Sequence, residues 1–260
     1  MRYHILILRF KRFYLPTILL VLLFSGCKSS GENVPNKDGF IEMFDGETLK
    51  NWEGDPSYWR IENGNLVGEV TPATILENNT FIIWQGSDPK DFELKGEFRI
   101  TIDGNSGINY RSQALDSIEF ALRGYQADID GKNNYTGQNY EERARTTLAY
   151  RGEKVIINTP DNLSESLRDN VENNAWTQRT VIGSLGDTDS LRSLIKDEEW
   201  NEIHLVVNEN RMLHFVNEVL MSDVTDNDTI NSKRSGKLGI QVHVGPPMKV
   251  EYRNLRIKEL

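Results

Sequence analysis

The chain has 260 residues, a formal net charge of −9 from 39 acidic and 30 basic residues, and a single cysteine. The acidic excess argues against a nucleic acid or an anionic membrane surface as partner, because both recruit basic side chains. One cysteine excludes a disulfide framework and any cysteine-rich zinc site, while a neutral ligand such as a sugar stays compatible with the composition.

Residues 1–26 hold Arg2, Arg9, Lys11 and Arg12 and no acid, so without them the net charge moves from −9 to −13. Leu15 to Phe24 is an apolar run broken only by Pro16 and Thr17. It is too short to cross a bilayer comfortably and reads as the core of a secretory signal. Ser25-Gly26-Cys27 follows. Small residues before a cysteine resemble the lipobox of bacterial lipoproteins, which implies acylation at Cys27. Residues 27–38 are polar and aperiodic and read as a flexible tether. The expected organisation is a signal peptide over 1–26, a tether over 27–38 and one body over 39–260. The expected location is the cell envelope, periplasmic or outer-membrane, with the lipid as the only membrane attachment.

The body reads as all-β. From Asp91 to Ile102, the residues Phe92, Leu94, Phe98, Ile100 and Ile102 share one parity. On Gly107–Arg111, Ile108 and Tyr110 face one way, and Asn109 and Arg111 the other. On Gly124–Asp130, Tyr125, Ala127 and Ile129 form the apolar row, opposite Gln126, Asp128 and Asp130. Residues 131–199 alternate only from Thr146 to Ile157 and contain two helical stretches, Leu163–Glu172 and Asp189–Lys196. That segment reads as long loops with short helices laid on a sandwich. Ile203, Leu205 and Val207 precede an Asn208-Glu209-Asn210 turn, and Arg211–Val216 returns as a hairpin partner. Leu238, Ile240, Val242 and Val244 make the last apolar row, opposite Gln241 and His243. Strands of this kind predict two antiparallel sheets packed face to face.

The rows opposite the core supply two carboxylates, an imidazole, a guanidinium and several amides. Any solvated sheet face shows such alternation, but like or acceptor groups in line are unfavourable without a ligand or cation. Gly107, Gly124, Gly239 and Gly245 lie inside or beside these strands, where glycine weakens β structure unless something approaches closely. Asn109 and Asp130 are read as ligand-binding from these rows. Arg143 and Arg145 are read either as a lid over the site or as solvated, Trp176 as the best stacking platform, and His204 and His214 as ordinary sheet-face residues. The acidic loop Asp223–Asp228 lacks EF-hand spacing and reads as a turn.

Several motifs occur in order: Phe40–Trp52 (FIEMFDGETLKNW), Trp59–Leu66 (WRIENGNL), Asn105-Ser106-Gly107-Ile108 with Arg111, and Gly124-Tyr125-Gln126-Ala127-Asp128. Trp200-Asn201, Gly239-Ile240-Gln241-Val242-His243 and Arg253-Asn254-Leu255-Arg256-Ile257 complete the series. The set resembles the 3-keto-disaccharide hydrolase domain family, long catalogued as a domain of unknown function in exported bacterial proteins, over residues 39–260. The resemblance implies a concanavalin-like jelly roll that binds an oligosaccharide or glycoside on one sheet. Carried over by position, the family's polar sheet residues fall on Asn105, Arg111, Gln126, Asp128, Gln241 and His243. One departure stands out: the family's Gly-Tyr-Glu-x-Gln is here Gly-Tyr-Gln-x-Asp.

Retaining glycoside hydrolysis needs two carboxylates about 5–5.5 Å apart, and short aspartates at 128 and 130 suit it poorly. The resemblance implies another route, in which a base removes the acidified C2 proton of a 3-keto sugar, the C1 substituent leaves, and water adds later. On that route His243 is the expected base, Asp128 orients it or exchanges roles with it, and Arg111 or a divalent cation held by Asp128 and His243 stabilises the enolate. Asn105, Asn109, Gln126, Asp130 and Gln241 are the expected substrate contacts. A non-catalytic sugar-binding module and a conventional glycoside hydrolase are the rival readings.

Overall fold

The computed structural model describes Met1 and residues 35–161 and 166–260. Residues 2–26 of the signal peptide, Cys27 and most of the tether lie outside the described residues, as do residues 163–165 of the first helical stretch.

In chain order the strands are β1 (Ile41–Glu42), β2 (Trp52–Glu53), β3 (Trp59–Glu62), β4 (Asn65–Val70), β5 (Thr80–Trp84), β6 (Phe92–Ile100), β7 (Asn105–Ala114) and β8 (Leu122–Asp130). Then come β9 (Asn139–Glu142), β10 (Thr146–Ala149), β11 (Glu153–Ile157), β12 (Val171–Glu172), β13 (Ala175–Trp176) and β14 (Arg179–Ser184). A helix α1 (Thr188–Arg192) precedes β15 (Asn201–Asn208), β16 (Arg211–Val216), β17 (Val219–Asp226), β18 (Lys237–Val242) and β19 (Met248–Glu259).

These strands form the expected sandwich of two sheets. One runs β14-β11-β17-β16-β15-β6-β19-β4-β3, with β1 also on β19; the other runs β12-β13-β10-β9-β8-β7-β18-β5-β2. Pairing is antiparallel except at β10–β13 and β11–β17, each of which involves a strand of residues 131–199. The alternation does what period-2 patterning requires: Phe92, Leu94, Phe98 and Ile100 of β6 and Ile203, Leu205 and Val207 of β15 point into one core with Ile108, Tyr110, Tyr125, Ala127 and Ile129. The hairpin after Val207 forms with Asn208 opposite Arg211.

Residues 131–199 differ from expectation. Instead of loops laid on the sandwich, they contribute β9–β14, which lengthen both sheets. Strands of two to six residues are too short to show a period. Among the described residues the helical stretches hold a 3₁₀ turn at Leu167–Asn170 and α1. Trp176 is 1% exposed in the core and is not a stacking platform.

Two polar clusters join the layers. His214 of β16 is a core residue, not a surface one: its Nε2 meets the Tyr110 hydroxyl at 2.8 Å and its Nδ1 the Gln138 carbonyl at 3.2 Å. Burial pushes its pKa down to about 4, against the Gln138 contact. Arg145 is neither lid nor solvated. It is wholly buried and pairs with Glu141 (2.5 Å), Asp226 (2.7 Å) and Asp228 (3.2 Å), while the Tyr125 hydroxyl donates to Asp226. Removing one member of a buried ion network leaves uncompensated charge, which costs about 3–5 kcal/mol. Arg145→Met is therefore expected to lower folding stability by at least that amount, measured as the urea midpoint at unchanged m-value.

Candidate active site

The outer face of the second sheet is built by four neighbouring strands in fixed register. Gly239 of β18 lies opposite Asn109 of β7, which lies opposite Gln126 of β8, which lies opposite Tyr140 of β9. One step along, Gly107 lies opposite Asp128. Paired residues share a face, so Asn109, Gln126, Asp128, Tyr140 and Gln241 are brought together, as the parity of the sequence requires.

Gly107 makes the arrangement possible. A Cβ there would sit 2.7 Å from the Gln126 side chain. Without one, Gln126 reaches across β7 and exchanges hydrogen bonds with Gln241 at 3.3 and 3.5 Å. The same Gln126 Nε2 donates to Asp128 Oδ1 at 2.7 Å, and Gln138 Nε2 donates to Asp128 Oδ2. Asn109 is fully buried beside this ladder, and neither its Oδ1 nor its Nδ2 has a hydrogen-bond partner. An unpaired buried amide costs about 1–3 kcal/mol, so the floor of this face carries a donor and an acceptor whose burial is uncompensated by protein. Phe81, Ile83 and Leu122 form a small apolar cluster beside it.

Asp128 is 8% exposed. Burial pushes its pKa up to about 8; the Gln138 and Gln126 hydrogen bonds oppose the shift, and the Glu142 and Asp130 charges add to it. A carboxyl of this kind is both a stored proton and, once ionised, a strong base for its type. Glu142 was not singled out in the sequence; it lies on the same face, accepts from Asn79 at 3.1 Å and has Arg143 Nε 3.6 Å away. Asn79 also accepts from the Val244 amide at 2.9 Å, so it ties β9 to the end of β18.

Several expected members stand elsewhere. Arg111 does not join Asp128. β7 shifts register between Tyr110 and Gln113, and Arg111 has φ 46°, so the bulge turns its side chain off the outer face. The guanidinium is 1% exposed and donates to the carbonyls of Lys90, Glu209 and Lys233 and to Asp91. It locks three segments together and is not available to an enolate. Asp130 is occupied by the turn that follows it, accepting from the amides of Asn134, Tyr135 and Thr136 at 2.7–3.1 Å. Asn105, opposite Asp130, is half-buried at the rim. His243 is also half-buried, and its Nδ1 faces the Val244 carbonyl. That contact requires the proton on Nδ1, leaving Nε2 for another partner. No hydrogen bond joins His243 to Asp128 among the described residues.

The expected cation does not fit here. Both Asp128 oxygens are taken by amide N–H donors, which repel a cation, and no group of three His, Cys, Asp or Glu suited to a metal occurs among the described residues.

The family described as the 3-keto-alpha-glucoside-1,2-lyase-like domain matches residues 39–258. The chain belongs to that family. The 3-keto-disaccharide hydrolase of Bacteroides thetaiotaomicron is 33% identical over 91 residues, 31% of this chain. The chain spans only 30% of that relative's length. Two crystal structures of Parabacteroides distasonis proteins, each described as a candidate glycosyl hydrolase, share the fold at a TM-score of 0.53. They are 17% and 14% identical and cover 88% and 85% of this chain and 99% of their own. The jelly roll is thus common to the lyase-like domain and these structures.

The raised pKa of Asp128 has a stability consequence. Between the unfolded value of 3.8 and the folded value of about 8, the native state binds the extra proton. Stability from this group is therefore full below about pH 4 and is lost as pH rises through 8, at about 1.36 kcal/mol per unit. Asp128→Asn lacks this dependence. The variant is expected to gain on the wild type by on the order of 4 kcal/mol between pH 5 and pH 8, read from paired urea titrations. A constant difference across that range would contradict the buried, proton-holding carboxyl.

Proposed function

We propose that this domain cleaves glycosides of 3-keto sugars by proton abstraction at C2, and that Asp128 is the base. The observation that carries this reading is the buried Asp128 carboxyl, with its pKa raised to about 8, set in a floor of amides. Oxidation at C3 acidifies the C2 proton, so one base of near-neutral pKa suffices for a step that ordinary glycosides do not permit. Two-carboxylate hydrolysis is poorly served by the same face. Asp130 is tied to its turn, and Glu142 pairs in register with Gly124, four residues from Asp128. At the backbone that separation is roughly 13 Å along the strands, and the Glu142 carboxylate is engaged by Asn79 and Arg143.

The roles expected for His243 and Asp128 are therefore exchanged. Ionised Asp128 takes the C2 proton. The electron pair moves toward the C3 oxygen as an enolate, then returns to form the C1–C2 double bond as the C1 substituent departs. Asn109 Nδ2 has no protein partner but is shielded from solvent, so it reaches the keto oxygen only as neighbouring side chains move aside, and Gln126 and Gln241 suit the neutral hydroxyls of a sugar. His243, Asn105 and Tyr140 stand half-buried at the rim, where His243 Nε2 and Asn105 contact the part of the substrate that leaves. Water addition to the double bond completes a net hydrolysis.

The test is turnover of a 3-keto glucoside beside the same unoxidised glucoside. The wild type is expected to consume only the former, with kcat/KM rising with pH and levelling above about pH 8. Asp128→Asn is expected to lose about 10²–10⁴-fold. Cleavage of the unoxidised glucoside, or binding of 3-keto glucosides without turnover, would overturn the proposal.

A further inference from the structure

Tyr140 is set apart from the other tyrosines near the site. Tyr110, Tyr125 and Tyr252 are buried and each hydroxyl is engaged, by His214 and Asn139, by Asp226, and by Ser106. Tyr140 is half-buried on the outer face, and its hydroxyl has no hydrogen-bond partner among the described residues. It sits opposite Gln126 in register, which makes Asp128 its diagonal neighbour, roughly 7–8 Å away between backbones. A base and an acid at that spacing flank two adjacent atoms of a sugar ring and its exocyclic oxygen. The surroundings also keep the phenol protonated: burial, then the charges of Glu142 and Asp128, push its pKa up to about 12, against the pull of Arg168.

We propose that Tyr140 is a catalytic residue that gives its phenolic proton to the departing glycosidic oxygen. The inference rests on Asp128 as base and adds the step that reading leaves open. An alkoxide is a poor leaving group, and Asp128 ends proton abstraction on the C2 side of the ring. In the elimination, Asp128 gains the C2 proton and the C2 electron pair becomes the second bond of C1=C2. The C1–O bond breaks, its electron pair leaves on oxygen, and that oxygen takes the proton of Tyr140. The products are an alcohol and a 3-keto-1,2-ene. Asp128 then releases its proton and the phenolate regains one, both through water, so no net charge or electron is left on the protein.

Tyr140→Phe removes a hydroxyl with no hydrogen-bond partner among the described residues, so its thermal midpoint is expected to stay within about 2 °C of the wild type. Three readings on this variant and the wild type decide the matter: turnover of methyl 3-keto-glucoside, turnover of 4-nitrophenyl 3-keto-glucoside, and deuterium exchange at C2 in heavy water. The variant is expected to lose at least 100-fold on the methyl glycoside, to stay within a few fold on the nitrophenyl glycoside, whose leaving group needs no proton, and to keep C2 exchange. An equal loss on both glycosides, or no loss on either, overturns the role of Tyr140 while leaving Asp128 standing. Absence of C2 exchange in the wild type overturns the base assignment itself, and the acid assignment with it.

Discussion

A carboxyl taken out of water must find a donor for each oxygen or keep its proton, and the second sheet is built around one that does both. Asp128 has Gln126 on one oxygen and Gln138 on the other, yet burial still holds its pKa near 8. Each partner depends on something further away. Gln126 lies in place because Gly107 has no Cβ. The Gln138 carbonyl is held through the core by His214, which reaches over from the first sheet. The layers of the sandwich thus meet at the carboxyl as well as in the apolar core.

Much of this was legible in the sequence because strand alternation is a strict rule. The parity of β7, β8 and β18 placed Asn109, Gln126, Asp128 and Gln241 on one face, and there they are. Parity fails where a bulge intervenes. Arg111 shares the parity of Asn109, but positive φ and a register shift send it away from the face. His214 escapes because a polar residue in a core row looks like a misplaced surface residue until its partners are known, and Arg145 because it lies in the turn between β9 and β10, where no parity applies. Their partners are 76 and 81 residues distant in sequence. Tyr140 and Glu142 lay in a strand of four residues, too short to declare a face. Residues 131–199 differ from the sequence pattern for the same reason, since strands of two to six residues leave no periodic trace.

The site has the electrostatic character its chemistry calls for. The protein is acidic overall, and the face offers amides, the raised-pKa carboxyl of Asp128, a Glu142 paired with Arg143, and a phenol. That set suits a neutral sugar and is indifferent to a phosphate or a polyanion. The cost falls on stability: an unpaired Asn109 and a desolvated Asp128 are both groups that an apolar replacement would relieve. Groups that burden the fold and converge on one face are what a binding or catalytic surface leaves behind.

The measurement that bears most directly on this account is the titration of the Asp128 carboxyl carbon by NMR in the free protein, assigned by comparison with Asp128→Asn. A midpoint near pH 8 is the predicted result. A midpoint near pH 4, the ordinary range of an aspartate, would mean that the carboxyl is ionised at neutral pH and would contradict the account of the site as a buried, proton-holding base.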